Sequence, residues 1–317
     1  MTGGGALTSQ YDAVVCDLDG VVYRGPVAVP HAVDALTSLD LPIIYATNNA
    51  SRPPEDVAQH LRELGVVCEP DAVATSSQAG AWVLAHRLPS GSAVLAIGGV
   101  GVATALREGG FVPVLPAHRR EADLTVAAVL QGYGPAVTAA DLGEAAYAVQ
   151  GGALWVATNM DATLPTERGI APGNGSLVGA VQNAVGRAPD LVAGKPAPPL
   201  YLLCADRLAL DTRRVLAVGD RLDTDIEGAV AARMDSLLVL TGVDDLRACL
   251  EAPPQRRPTF VAPDLRALHA DPRSTGLVRL AEAVAAVHEA RDARAAAHRV
   301  EGLASRAEVL LSHVVPG

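Results

Sequence analysis

Lysine is nearly absent from this sequence. Of its 25 Lys and Arg residues every one is arginine except Lys195, in "DLVAGKPAPP". Aromatic residues are also scarce, with two Trp, six Tyr and two Phe among 317 residues, which leaves little with which to stack nucleic-acid bases. A surplus of positive charge is missing too. The net charge of −10 opposes the extended basic footprint that a polyphosphate backbone needs, so nucleic acid is not an expected partner. The four cysteines, Cys16, Cys68, Cys204 and Cys249, form no Cys-x-x-Cys pair, which argues against a zinc knuckle or a disulfide framework and for a reducing compartment. "MTGGGALTSQ" lacks the basic and apolar regions of a signal peptide. The uncharged stretch 124–140 is broken by Gln131, Gly132, Gly134 and Pro135, so it does not read as membrane-spanning. A cytoplasmic protein without membrane contact is the expectation.

What the sequence does have is alternation. Half of it is apolar, enough for a sizeable core and for two domains. Short runs such as "AVVCD", "LPIIYATN", "SAVLAIGG", "DLTVAAVL", "ALWVATN", "RVLAVGD" and "SLLVL" read as strands. Between them lie amphipathic stretches; in "PPEDVAQHLRELG", Val57, Leu61 and Leu64 recur at helical spacing. This predicts an α/β fold with a parallel sheet. From about Asp264 onward the chain turns rich in Ala, Arg and Glu and predicts one or two appended helices, a solvated tail or a homo-oligomer contact.

Ligands of open α/β sheets collect at the carboxyl ends of the strands. Four apolar runs stop there on a polar residue: at Asp17, Thr47, Lys195 and Asp220. Each singly is explained by a helix cap, but if the four strands are neighbours the side chains share one crevice. In "DLDG", Asp17 and Asp19 are two apart on an extended segment and face one side, and "GDRLDTDIEG" adds Asp220 and Asp225. Converging carboxylates without His or Cys suit a hard cation, Mg²⁺ first. A carboxylate attacking a dianionic phosphate about 4 Å away would meet roughly 8 kcal/mol of repulsion at an effective dielectric near 20. Left standing, that term slows attack about a millionfold. A divalent ion plus a compact ammonium can cancel it, which gives the lone lysine a reason. Thr47 and the backbone N–H groups of Asn48 and Asn49, ahead of the "PPEDV" helix, would hold the remaining phosphate oxygens.

The strings "DLDGVVYRG", "YATNNASRPP", "VAGKPAPPLY" and "VGDRLDTDIEGA", in that order, resemble the four motifs of the haloacid dehalogenase superfamily of phosphatases. Asn48 and Lys195 are 147 residues apart, which leaves room for an inserted cap of the larger α/β type. The resemblance is to the branch containing phosphoglycolate, pyridoxal phosphate and 4-nitrophenyl phosphate phosphatases. It implies a Rossmann-like core over 1–77 and 191–263, a cap over 78–190 and a helical extension over 264–317. It also implies Asp17 as the nucleophile that forms an aspartyl-phosphate and Asp19 as general acid, then base. Mg²⁺ would be bound by Asp17, the Asp19 carbonyl and Asp220, with Asp225 behind them. Thr47 and Lys195 would hold the phosphate. In the cap, "ALWVATNMDATLPTERGIAPGNGSL" resembles a specificity loop, with Asn159, Asp161 and Arg168 facing the substrate; for Asn159 and Asp161 an Asx turn is the other reading.

The expected activity is hydrolysis of a small phosphorylated metabolite, glycerol 3-phosphate first and 2-phosphoglycolate next, then pyridoxal phosphate and 4-nitrophenyl phosphate. Two other classes remain open. A receiver-like phospho-aspartate switch also joins acids, Thr and Lys, though the 147-residue gap and Asp19 oppose it. "LAIGGVGVAT" is a partial dinucleotide fingerprint, with Thr104 at the third glycine position, and would make the protein an oxidoreductase.

Overall fold

The computed structural model describes residues 6–122, 124–166, 168–271 and 276–314. The chain divides into two compact units: Met1–Tyr45, Leu61–Cys68 and Cys204–Gly317 form one, Ala46–His60 and Glu69–Leu203 the other.

The first unit's sheet pairs in parallel four of the runs read as strands and one strand not read from the sequence, Phe260–Ala262, in the order Phe260–Ala262, Asp235–Val239, Val215–Gly219, Ala13–Cys16 and Ile43–Thr47, the last of which runs past Tyr45, where that unit's segment ends. The central strands Ala13–Cys16 and Val215–Gly219 are buried throughout, as their unbroken apolar composition requires of a sheet covered on both faces. From Ala13–Cys16 the chain first adds Ile43–Thr47 on one side, then Val215–Gly219 on the other. The winding therefore reverses at that central strand, and the crevice that opens at such a reversal lies at its carboxyl end, at Asp17.

The terminal segment is two helices, Leu277–Asp292 and Ala297–Leu311, packed on each other. It is not a solvated tail. Leu277, Leu280, Val284 and Val287 are buried, and the first helix lies against strand Phe260–Ala262 and helix Leu246–Leu250. His288 Nε2 bonds the Cys249 carbonyl at 2.8 Å, and burial holds this histidine below its usual pKa.

The second unit has its own parallel sheet, in the order Leu191–Val192, Leu154–Ala157, Ala128–Gln131, Ala93–Ile97 and Val112–Val114. Its core gathers Leu95, Ile97, Val129, Val149, Val178 and the fully buried Trp155, whose indole N–H donates to Gln131 Oε1 at 3.0 Å. A hairpin, Thr163–Thr166 with Gly169–Pro172, stands where the sequence suggests only a loop.

Two expectations are corrected here. Leu191–Val192 is not a neighbour of the strands that end at Asp17 and Asp220; it pairs with Val156 and Ala157 in the second sheet. The glycines of "LAIGGVGVAT" have a packing role instead of a dinucleotide-binding one. Cβ atoms at Gly99 and Gly101 would fall 2.6 Å from the Ser51 carbonyl oxygen and 2.7 Å from those of Ala50 and Arg52. The helix Val100–Glu108 thus starts directly against the backbone that follows Thr47. Among the described residues no helix is long and apolar enough to cross a membrane.

Candidate active site

Beyond Cys16 the central strand delivers Asp17, and beyond Gly219 its neighbour delivers Asp220. Arg221 then leads into a single π turn, Leu222–Ile226, in which the Ile226 amide reaches back to the Arg221 carbonyl at 3.1 Å. That wide turn brings Asp225 back toward the strand end, where its Oδ2 accepts from the Arg221 amide at 3.1 Å. Carboxylate oxygens of Asp17, Asp220 and Asp225 all lie within 4.8 Å of one another. Asp220 and Asp225 are almost wholly buried and Asp17 is half-buried. Asp19 is exposed and outside that cluster, bridged through its backbone to Tyr23.

Three ionised carboxylates at this separation repel by about 3 kcal/mol per pair at an effective dielectric near 20. The cost is tolerable where a cation neutralises it. An all-oxygen, all-carboxylate donor set without His or thiolate fits Mg²⁺ or a similar hard ion.

Sequence reasoning missed the loop that holds Asp220 in place. Val243 N–H donates to Asp220 Oδ2 at 2.8 Å, Thr241 Oγ1 donates to the Gly20 carbonyl at 2.7 Å, and Leu222 N–H donates to Asp244 Oδ2 at 2.7 Å. A Cβ at Gly242 would sit 1.7 Å from Asp220 Oδ2. The only signal was a Thr-Gly pair after the strand "SLLVL", which reads as an ordinary turn. Gly242→Ala should therefore displace the Asp220 carboxylate. Overpacking of this kind costs about 1–3 kcal/mol, so calorimetry should find Mg²⁺ bound about tenfold more weakly or worse. Unchanged Mg²⁺ affinity would show that Asp220 has another place to go.

The second unit carries the remaining predicted residues. Thr47 is 4 % exposed, and its Oγ1 accepts from Asn49 N–H at 3.0 Å. The Asn49 amide, expected to face a phosphate, thus serves to orient the Thr47 hydroxyl, whose proton remains to be donated. Asn49 Oδ1 accepts from the Ser51 amide and hydroxyl at 2.9 and 2.8 Å. The following helix begins only at Pro54, so the Asn48 and Asn49 amides are not its N-terminal donors.

Lys195 is 3 % exposed, and its ammonium donates to the Ala46 carbonyl at 3.2 Å. Its backbone is gripped by the Asn48 side chain: Lys195 N–H donates to Asn48 Oδ1 at 2.8 Å and Asn48 Nδ2 donates to Lys195 O at 3.0 Å. Asn48 Nδ2 also reaches Asp161 Oδ2 at 3.3 Å. Asn159, expected to face a substrate, is buried with both ends of its amide engaged. Its Nδ2 donates to the Asn48 carbonyl at 2.8 Å, and its Oδ1 accepts from Asp161 N–H at 3.2 Å. The bond from the Asp161 amide to Asn159 Oδ1, two residues back, is that of an Asx turn. Arg168 lies exposed in the turn of the hairpin.

Comparison with known proteins agrees with this chemistry. A family model described as haloacid dehalogenase-like hydrolase matches residues 14–112, and a second model of the same kind matches residues 192–268. The chain is 46% identical over 266 residues to D-glycerol 3-phosphate phosphatase of Mycobacterium tuberculosis, covering 84% of this chain and 73% of that protein. It is 37% identical over 240 residues to the acid sugar phosphatase of Staphylococcus aureus, 75% of this chain and 89% of that one. The crystal structure of the M. tuberculosis glycerol phosphate phosphatase in complex with magnesium superposes with a TM-score of 0.80 at 44% identity, covering 85% and 80% of the two chains. With motifs, strand order and carboxylate cluster in agreement, the chain belongs to the haloacid dehalogenase-like hydrolases.

Proposed function

We propose that this enzyme hydrolyses glycerol 3-phosphate to glycerol and inorganic phosphate, with Asp17 as nucleophile and Asp19 as the proton carrier. It is a Mg²⁺-dependent phosphoric monoester hydrolase. The observation that carries the reading is the cluster of Asp17, Asp220 and Asp225 at the reversal point of the sheet. The choice of ester follows the M. tuberculosis relative.

In this reading an Asp17 carboxylate oxygen attacks phosphorus and the bond from phosphorus to the ester oxygen breaks. The departing alkoxide takes the proton of Asp19. Asp19, now a carboxylate, accepts a proton from water as that water attacks the same phosphorus. The acyl phosphate bond breaks, inorganic phosphate leaves and Asp17 is restored. The two acids differ in surroundings, one in the carboxylate cluster and one exposed outside it, which is how paired carboxylates come to hold different roles. Mg²⁺, held by Asp17 and Asp220 with Asp225 behind them and the Asp19 carbonyl as a further donor, would offset the negative charge of phosphate and nucleophile. Thr47 donates its hydroxyl proton to one phosphate oxygen, the Asn48 amide serves another, Asn49 fixes Thr47, and Lys195 supplies the second cation.

Residues 78–190 serve as the cap, with Asp161 and Arg168 as its groups toward the alcohol. Four buried cysteines and no disulfide suit a cytoplasmic enzyme.

A panel of esters assayed with Mg²⁺ and with excess EDTA tests the proposal. Glycerol 3-phosphate should give the highest kcat/KM, ahead of 2-phosphoglycolate, pyridoxal phosphate, 4-nitrophenyl phosphate and a hexose phosphate, and EDTA should abolish all release. A tenfold preference for any other ester would reassign the substrate, and turnover in EDTA would remove the metal.

A further inference from the structure

Asn48 belongs to the segment expected to bind phosphate through backbone amides, yet its side chain does something else. Its primary amide pairs with the peptide of Lys195 in both directions, accepting from the N–H at 2.8 Å and donating to the C=O at 3.0 Å. The same Nδ2 reaches Asp161 at 3.3 Å, and the Asn48 carbonyl accepts from Ser76 Oγ at 2.7 Å and Asn159 Nδ2 at 2.8 Å. The amide is thus held from behind while it grips Lys195 in front. Gly194 completes the fit, because a Cβ there would lie 2.5 Å from Asn48 Oδ1 and 2.6 Å from the Thr158 carbonyl. At its other end Lys195 anchors its ammonium on Ala46, two residues before Asn48. Lysine has a long, flexible stem, so a fixed charge requires a fixed backbone.

We infer that Asn48 is a positioning residue that fixes Lys195 through its peptide and joins it to Asp161 of the cap loop. Alignment of the phosphate-holding cation then depends on an amide that touches neither phosphate nor metal with its side chain. The inference rests on the reading of Lys195 as a phosphate-binding cation, and its consequence is specific. Asn48→Asp preserves shape and the acceptor for Lys195 N–H, but loses the donor and sets a carboxylate against Asp161.

The test measures inhibition by inorganic phosphate, steady-state kinetics with glycerol 3-phosphate and thermal melting, on the full chain. Asn48→Asp should raise the phosphate inhibition constant at least tenfold and lower kcat/KM at least thirtyfold. Adding Asp161→Asn supplies a new donor, and the double variant should recover at least fivefold of the loss in inhibition by inorganic phosphate, which carries no alcohol for Asp161 to face. Gly194→Ala pushes on the same bond from the other side and should weaken phosphate in the same direction. A lowered melting temperature with phosphate inhibition within twofold of wild type in both variants would make Asn48 merely structural and overturn the inference. Lys195→Met separates the two levels. If it weakens phosphate while the Asn48 and Gly194 variants do not, the inference alone fails; if it leaves phosphate inhibition unchanged, the parent reading fails and the inference with it.

Discussion

Asp17→Asn should leave no turnover above background at saturating Mg²⁺. The amide is isosteric, so the strand Ala13–Cys16 and the backbone bond from Asp17 N–H to the Val218 carbonyl at 2.9 Å have no reason to change. What disappears is the carboxylate oxygen that the proposed mechanism uses to attack phosphorus. Loss of a nucleophile costs on the order of 10⁴ to 10⁶ in kcat. The substitution also removes one of the three negative charges that make the cluster a cation site, so Mg²⁺ affinity should drop as well. The two effects separate cleanly: weaker Mg²⁺ binding is overcome by concentration, whereas loss of the nucleophile is not. Rapid acid quench with a labelled ester should trap phosphate on the wild-type chain and none on the variant. Substantial activity in Asp17→Asn at high Mg²⁺ would move the nucleophile to another residue.

The acids were legible because each feature that places them is local. Unbroken apolar runs mark buried parallel strands, and the residue after such a run stands at the strand end, so Asp17, Thr47 and Asp220 could be found by reading alone. Lys195 was legible as a residue and not as a place. A strand of two residues, Leu191–Val192, has no periodicity to reveal which sheet it joins. The support around the acids was hidden for a different reason. Asp220 is held by the backbone amide of Val243, and an amide carries no residue-type signature. Gly99, Gly101 and Gly242 are glycine because of atoms from distant segments, so the sequence displays the residue and conceals its cause. The Asn48 amide falls in the same class, its partner lying 147 residues away. The hairpin 163–172 went unread because its register carries two prolines, Pro165 and Pro172, which argue against strands away from an edge.

Lys195→Arg should be nearly as damaging as Lys195→Met, although it keeps the charge. The ammonium ends in a slot where the whole residue is 3 % exposed, with Ala46 O 3.2 Å away. A guanidinium is wider, planar and longer in reach, and its five donors need acceptors in a fixed fork. Forcing it into that slot costs about 1–3 kcal/mol of overpacking. The backbone cannot retreat to make room, because Asn48 holds both the N–H and the C=O of this residue. The positive charge must therefore move, and a displacement of about 1 Å at a reacting centre is enough to lower the rate on the order of 100-fold. Both variants should fall at least that far in kcat/KM, within tenfold of one another, with phosphate inhibition weakened in each. Were charge alone sufficient, arginine would restore most of the rate that methionine loses. In a chain that uses arginine at each of its other basic positions, that result would leave the single lysine without a chemical reason.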